Sequence, residues 1–249
     1  MHAFARETRL SETSFVQPAA SEGADYRHRI WMMSGEIPFA GHPSLGTAVA
    51  VARASGVRSA TFTQQTHAGL QQIDVEVSGR AARASMLQEP PSFGPELDPA
   101  ETLALAGLTG ADADPRLPVQ VVSAGAPQVL VPVAEAEALA RARPDYDAIG
   151  ELLRAHDAIV YYLVHVDGAI VRARSFLRTA EMGEDPATGA AAGPLCAHVA
   201  ERLGVEAIEI DQGVEMGRPS RLRASVEGDR VRVGGDVVVV VDGAVHLDF

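Results

Sequence analysis

Lysine and asparagine are absent from all 249 residues, and cysteine and tryptophan occur once each, as Cys196 and Trp31. A chain without lysine forms no Schiff base with a substrate carbonyl or with pyridoxal phosphate, and it builds no lysine-dependent phosphate loop. Without asparagine there is no acceptor for N-glycosylation. The double absence fits the codon bias of a GC-rich genome. A single cysteine closes no disulfide within the chain, so a reducing compartment is expected. No apolar run is long enough for a membrane span and no signal-type segment opens the chain, and the expectation is a soluble cytoplasmic protein. The formal net charge of -12 repels phosphate backbones and anionic membranes, which argues against nucleic-acid and membrane partners.

What the chain does contain is a pair of glycine-rich turns, each running into a helix of small residues. The first is Glu36-Ile37-Pro38-Phe39-Ala40-Gly41-His42-Pro43-Ser44-Leu45-Gly46, and the second is Glu184-Asp185-Pro186-Ala187-Thr188-Gly189-Ala190-Ala191-Ala192-Gly193. Apolar residues at helical spacing follow each turn, so each glycine is placed at a helix N-terminus. Free backbone N–H groups and the positive end of the helix dipole collect there and suit a small anionic substrate, with no need for lysine. Reacting groups then have to come from nearby carboxylates and imidazole, with Glu12, His42 and Asp185 as the candidates. Each also has a plain reading: His42 as a helix-start residue, Asp185 as a turn or capping residue, Glu12 as a surface carboxylate. Cys196 reads as a buried apolar thiol. Arg218 reads as structural. His67, His156, His165 and His198 lack metal-ligand spacing, so no metal site is expected.

Along the chain, strands are expected at 13–17, 26–31, 60–64, 71–77 and 82–87, and helices at 4–12 and 42–54. After a proline-rich connector at 89–95 and a short helix at 99–106, the order repeats. Strands at 119–123 and 128–133 precede helices at 134–141 and 146–156. Strands at 158–166 and 170–175 then lead to the second turn and its helix, and closing strands follow at 206–211, 221–226, 230–234 and 237–241. The expectation is an α+β protein of two pseudo-symmetric domains, each a mixed sheet wrapped around a central helix, with an active site in the cleft between them. The boundary is placed near residue 115, giving halves of 1–115 and 116–235, with a terminal strand at 236–249 returning to the first.

At these same residues the chain resembles the PhzF-like isomerases of phenazine biosynthesis, a branch of the diaminopimelate epimerase fold. The segments that carry the resemblance are Ala5-Arg6-Glu7-Thr8-Arg9-Leu10-Ser11-Glu12-Thr13-Ser14-Phe15, residues 36–48, residues 184–195, and Gln212-Gly213-Val214-Glu215-Met216-Gly217-Arg218-Pro219-Ser220. The resemblance implies a homodimer that uses neither cofactor nor metal. It makes Glu12 the group that moves a proton during isomerisation of trans-2,3-dihydro-3-hydroxyanthranilate, and gives His42 and Asp185 the task of binding and polarising the substrate. The substrate carboxylate would rest on backbone N–H groups around Gly41, Gly189 and Ala190. A glutamate in that role is expected to have its pKa raised by burial.

Three departures accompany the resemblance. Met1 falls at an internal methionine of the family pattern, so the family's opening strand has no counterpart; a truncated chain or misassigned start is expected, with apolar surface uncovered in the first half. Ala190 stands where the family usually has serine. Trp31-Met32-Met33 and Phe176-Leu177-Arg178 replace the usual approaches to the two turns. Two other functions remain open: a carboxylate-based epimerase or racemase of an amino-acid-like substrate, for which the two-thiol version is unavailable with only Cys196, and an inactive member acting as a binding protein.

Overall fold

Small residues settle where the two longest helices go. In the computed structural model, which describes residues 1–245, the chain divides into two compact units, Met1–Met86 with the residues from Gly235 onward, and Leu87–Gly234. The last four residues of the terminal strand expected over 236–249 lie outside the described residues. Among the described residues no helix is long and apolar enough to cross a membrane.

The first unit runs α1 (His2–Thr8), β1 (Thr13–Gln17), β2 (Tyr26–Met32), β3 (Gly35–Ile37), α2 (Gly41–Ala54), β4 (Ser59–Thr66), β5 (Gly69–Ser78) and β6 (Ala81–Leu87). Its strands lie in the order β1-β2-β4-β5-β6, with β3 on β2. The β2–β4 contact is parallel and the others are antiparallel, so the sheet is mixed. The first helix stops at Thr8 instead of reaching Glu12, because Arg9 takes the left-handed conformation at φ 54 and its N–H bonds back to Ala5 O. That reversal sends Leu10 to Glu12 off the helix and into the approach to β1.

Helix α2 presents Ala48, Val49 and Ala52 to Ile73 and Val75 of β5 and to Ala82, Ala84 and Met86 of β6. The strand residues alternate, so one face of the sheet takes the helix. Alanine on the helix lets the two backbones come close. The opposite face of α2 is open: Ala50 and Ala54 are exposed, and they line a groove of about 840 Å³ shared with Val237 to Val241.

The second unit holds β7 (Ser92–Glu96), α3 (Pro99–Ala104), β8 (Gln120–Ser123), β9 (Pro127–Val133), α4 (Glu137–Arg141), α5 (Tyr146–Ala155), β10 (Tyr161–Asp167), β11 (Ile170–Phe176), β12 (Glu184–Asp185), α6 (Gly189–Leu203), β13 (Ala207–Gln212), β14 (Ser220–Glu227) and the start of β15 (Arg230–Val238). The order is β15-β14-β13-β11-β10-β9-β8-β7, with β12 on β11. Pairs β9–β10 and β11–β13 are parallel. Alternate residues of β10 serve two cores: Tyr162 and Val164 pack with Leu195, Cys196 and Val199 of α6, while Tyr161 and Leu163 pack with Leu103, Leu139, Ile149 and Leu153. Burial on both faces explains the unbroken apolar run of this strand. Residues Ala191 to Val199 are buried without interruption, so this stretch of α6 is enclosed on all sides, as a helical segment with no polar stripe must be.

The unit boundary at Met86/Leu87 differs from the one expected near residue 115. Turn formers at 112–118 suggested a linker, but β7 pairs with β8, and Leu103 and Leu108 are buried in the second unit's core, which ties residues 92–115 to that unit. In place of the closing strands expected at 230–234 and 237–241 there is one strand, β15, which continues through Gly234 and Gly235 and stops at Val238, so that 239–241 is not strand.

Gly213 has φ +78, and a Cβ there would press on the Arg218 carbonyl oxygen and lie 3.0 Å from that of Pro186. Gly228, at φ +62, has open space around it. We predict that Gly213→Ala costs about 2 kcal/mol or more and Gly228→Ala about 1 kcal/mol, read from urea unfolding midpoints. Equal costs at the two positions would contradict the packing described around Gly213.

Candidate active site

In the first unit, Glu12 is delivered by the extended segment after α1, and His42 is the second residue of α2. His42 Nε2 lies 3.1 Å from Glu12 Oε2, with the Glu12 side chain 16% exposed and that of His42 57% exposed. Glu12 Oε2 is shut off from solvent. Two of the residues singled out in the sequence are therefore brought together, one half-buried and one open to a ligand.

The charge state of Glu12 differs from expectation. Its pKa is lowered: the adjacent His42 side chain has the largest effect, burial opposes it, and hydrogen bonding with Ser11 adds to the lowering. Desolvation does push the carboxyl up, as anticipated, but a favourable contact to the ionised form outweighs it. The contact with His42 thus favours the carboxylate form of Glu12 in the free protein.

The turn before α2 is fixed by a clasp. Strand β3 folds back on β2, with Trp31 opposite Glu36, and Arg29 Nε and Nη2 donate to the two carboxylate oxygens of Glu36 at 2.7 and 2.6 Å. The guanidinium also lies over the Trp31 ring, 5.5 Å from its centroid. A two-point bond to a planar fork sets orientation as well as distance.

The second unit repeats this construction. Strand β12 folds back on β11, with Phe176 opposite Glu184. Arg174 donates to both Glu184 oxygens at 2.9 and 2.7 Å and lies over Phe176 at 4.9 Å. The turn that follows carries Asp185, whose carboxylate accepts from Thr188 Oγ1 at 2.7 Å and Ala187 N at 3.3 Å. Buried Gln212 braces it: its Nε2 donates to Asp185 O at 2.6 Å and Thr188 Oγ1 at 2.9 Å, and its Oε1 accepts from Tyr162 OH at 2.8 Å. Asp185 thus closes the turn over Ala187 and Thr188 that leads into α6.

Neither α2 nor α6 receives a side-chain cap, whereas Asp98 and Asp145 cap α3 and α5. The first-turn amides at Gly41 and at Gly189 and Ala190 are thereby left to other acceptors. Cys196 is buried, with its thiol pushed up to about 12 by burial, which makes it a packing residue rather than a nucleophile. Arg218 is exposed between β13 and β14. Among the described residues no group of three or more His, Cys, Asp or Glu is arranged to hold a metal.

The clasps were not singled out in the sequence, although their signal is there: Arg-x-aromatic followed by Glu just before each glycine turn, as Arg29, Trp31 and Glu36 and again as Arg174, Phe176 and Glu184. Gln212 opens a quoted motif, yet only the structure gives it a partner.

Because the folded-state pKa of Glu12 is depressed, the contact with His42 contributes stability above the unfolded carboxylate range, and that stability is lost as pH falls through the folded value. In His42→Ala, burial becomes the largest remaining influence. The Glu12 midpoint, followed by carboxyl NMR, should rise relative to wild type, and an unchanged midpoint would show that His42 does not set it.

Comparison with known proteins places the chain in a family. Residues 1–243 match the family model described as phenazine biosynthesis-like protein. The trans-2,3-dihydro-3-hydroxyanthranilate isomerase of Pseudomonas aeruginosa is 36% identical over 256 residues, covering 99% of this chain and 88% of that protein. The solved structure of a predicted epimerase from Pseudomonas aeruginosa superposes with a TM-score of 0.80 at 33% identity, over 97% of this chain and 88% of the other. A probable proline racemase from Agrobacterium radiobacter, at TM-score 0.58 and 13% identity over 93% of this chain and 76% of the other, shares the fold. The mixed α+β architecture is thus that of the epimerase-like folds, and the chain belongs to the phenazine biosynthesis-like protein family.

Proposed function

We propose that this protein is an isomerase that moves a proton within a small cyclic carboxylate, with trans-2,3-dihydro-3-hydroxyanthranilate as the leading substrate in phenazine-type biosynthesis, and that it works without metal or cofactor. The observation that carries the reading is the half-buried Glu12 carboxylate facing His42 at 3.1 Å. The relative named for that isomerase activity, 36% identical along nearly the whole chain, supports it.

In the proposed mechanism the Glu12 carboxylate takes a proton from one ring carbon while the electron pair left behind shifts through the adjacent double bond. Glu12, now a carboxylic acid, returns the proton to another carbon, and the enol so formed tautomerises to a ketone. Atoms and charge balance with no outside reactant. The lowered pKa in the free protein keeps the base form ready. A substrate that engages His42 and expels water weakens the main lowering influence and strengthens desolvation, which makes the acid form accessible for the return step. His42 binds and polarises the substrate beside Glu12, and the substrate carboxylate is received by the backbone N–H at the start of α2, around Gly41. The active form is proposed to be a homodimer.

The test is incubation with trans-2,3-dihydro-3-hydroxyanthranilate in heavy water. Isomerised product that keeps part of its original hydrogen at the new position is expected, because a single carboxyl carries it. No turnover, together with solvent exchange of the α-hydrogen of an amino-acid-like substrate, would replace this reading with the epimerase one. No reaction with either class would leave a binding protein.

A further inference from the structure

The Glu12–His42 contact joins two segments that are 30 residues apart, and a buried histidine on β2 ties those segments together. His28 is 1% exposed. Its Nδ1 lies 3.0 Å from Gln64 Oε1, and its Nε2 lies 2.9 Å from Ser14 Oγ and 3.2 Å from Thr47 Oγ1. An amide oxygen only accepts, so the ring proton is on Nδ1, and Nε2 is left to accept from the two hydroxyls. Beyond the ring, Gln64 Nε2 donates to Ser44 Oγ at 2.9 Å, and Ser44 donates to Ala40 O at 2.8 Å.

Ser14 follows Glu12 by two residues. Ser44 and Thr47 follow His42 by two and five, on α2. The ring therefore bridges the strand that directly follows one member of the pair to the helix that carries the other. We infer that His28 is a positioning residue: with its proton on Nδ1 it pins Ser14 to Thr47, and so holds Glu12 within reach of His42. The inference rests on the proposed role of that pair, but it concerns the free protein and needs no substrate.

The surroundings suit a neutral ring. Burial lowers the His28 pKa, and the groups that meet it from β1, α2 and β4 are the uncharged Ser14, Thr47 and Gln64. On its own strand the nearest titratable group in this network is Tyr26, which meets Gln64 Oε1 at 3.5 Å and whose phenol is pushed up by burial. A second ring proton would have to displace both hydroxyl donors from Nε2. In a network buried this deeply, such a reversal leaves a donor without an acceptor.

The experiment follows the Glu12 carboxyl by NMR titration in the unliganded full chain of wild type, Ser14→Ala, Thr47→Val and His28→Phe, with Gly228→Ala as a control that lowers stability elsewhere. The inference expects the Glu12 midpoint to rise in the first three variants, in the direction of His42→Ala, and to stay at the wild-type value in Gly228→Ala. If His28→Phe does not fold, the two hydroxyl variants decide, since each removes one oxygen and leaves the ring in place. Folded Ser14→Ala and Thr47→Val proteins with the wild-type Glu12 midpoint would overturn the inference. Failure of the proposed isomerase activity would leave this measurement untouched.

Discussion

A carboxylate drawn half out of water keeps its charge only if something nearby favours the ionised form. In this protein that something is one imidazole at the start of α2, and the first unit is organised around keeping the two together. The cost of desolvating a carboxylate is several kcal/mol when nothing offsets it. The lowered pKa of Glu12 shows the balance falling on the side of the contact. A contact of that kind is sensitive to small displacements, so it demands fixed supports on both sides. The clasp of Arg29 on Glu36 fixes the turn ahead of His42, and the network centred on His28 fixes the same helix against the segment of Glu12.

The same device appears in the second unit with different cargo. Arg174, Glu184 and Phe176 reproduce the clasp, and the turn beyond it carries Asp185 where the first carries Ile37, and Ala190 where the first carries His42. The shared elements are those that shape the backbone ahead of each helix, and the residues that differ are the ones the turn itself presents. The helices differ too: α6 is enclosed by its sheet and core, while α2 leaves Ala50 and Ala54 on an open groove.

Much of this was legible before any coordinates. Glycine turns running into small-residue helices announce themselves, and α2 and α6 begin at Gly41 and Gly189. Long alternating strands such as β5 were equally readable. Short elements were not: β3 and β12 span three and two residues, too few for any periodicity, and β7 hides in a segment whose Phe93 and Pro95 read as connector. The end of α1 was missed because Arg9 occupies a left-handed conformation usually marked by glycine. The direction of the Glu12 shift was out of reach for a different reason. Burial and His42 act in opposite senses, and nothing in the sequence says which is stronger. His28 and Gln64 were overlooked because a polar residue inside a strand reads as solvent-facing until its partners, from 14 to 36 positions away, are known.

The central claim is that Glu12 itself carries the proton. It is tested most directly by measuring turnover and substrate affinity of Glu12→Gln, which keeps the shape of the side chain and removes its basicity. The account predicts a fall in kcat of about 10²-fold to 10⁴-fold with binding close to wild type. A Glu12→Gln protein that turns over at the wild-type rate would contradict it.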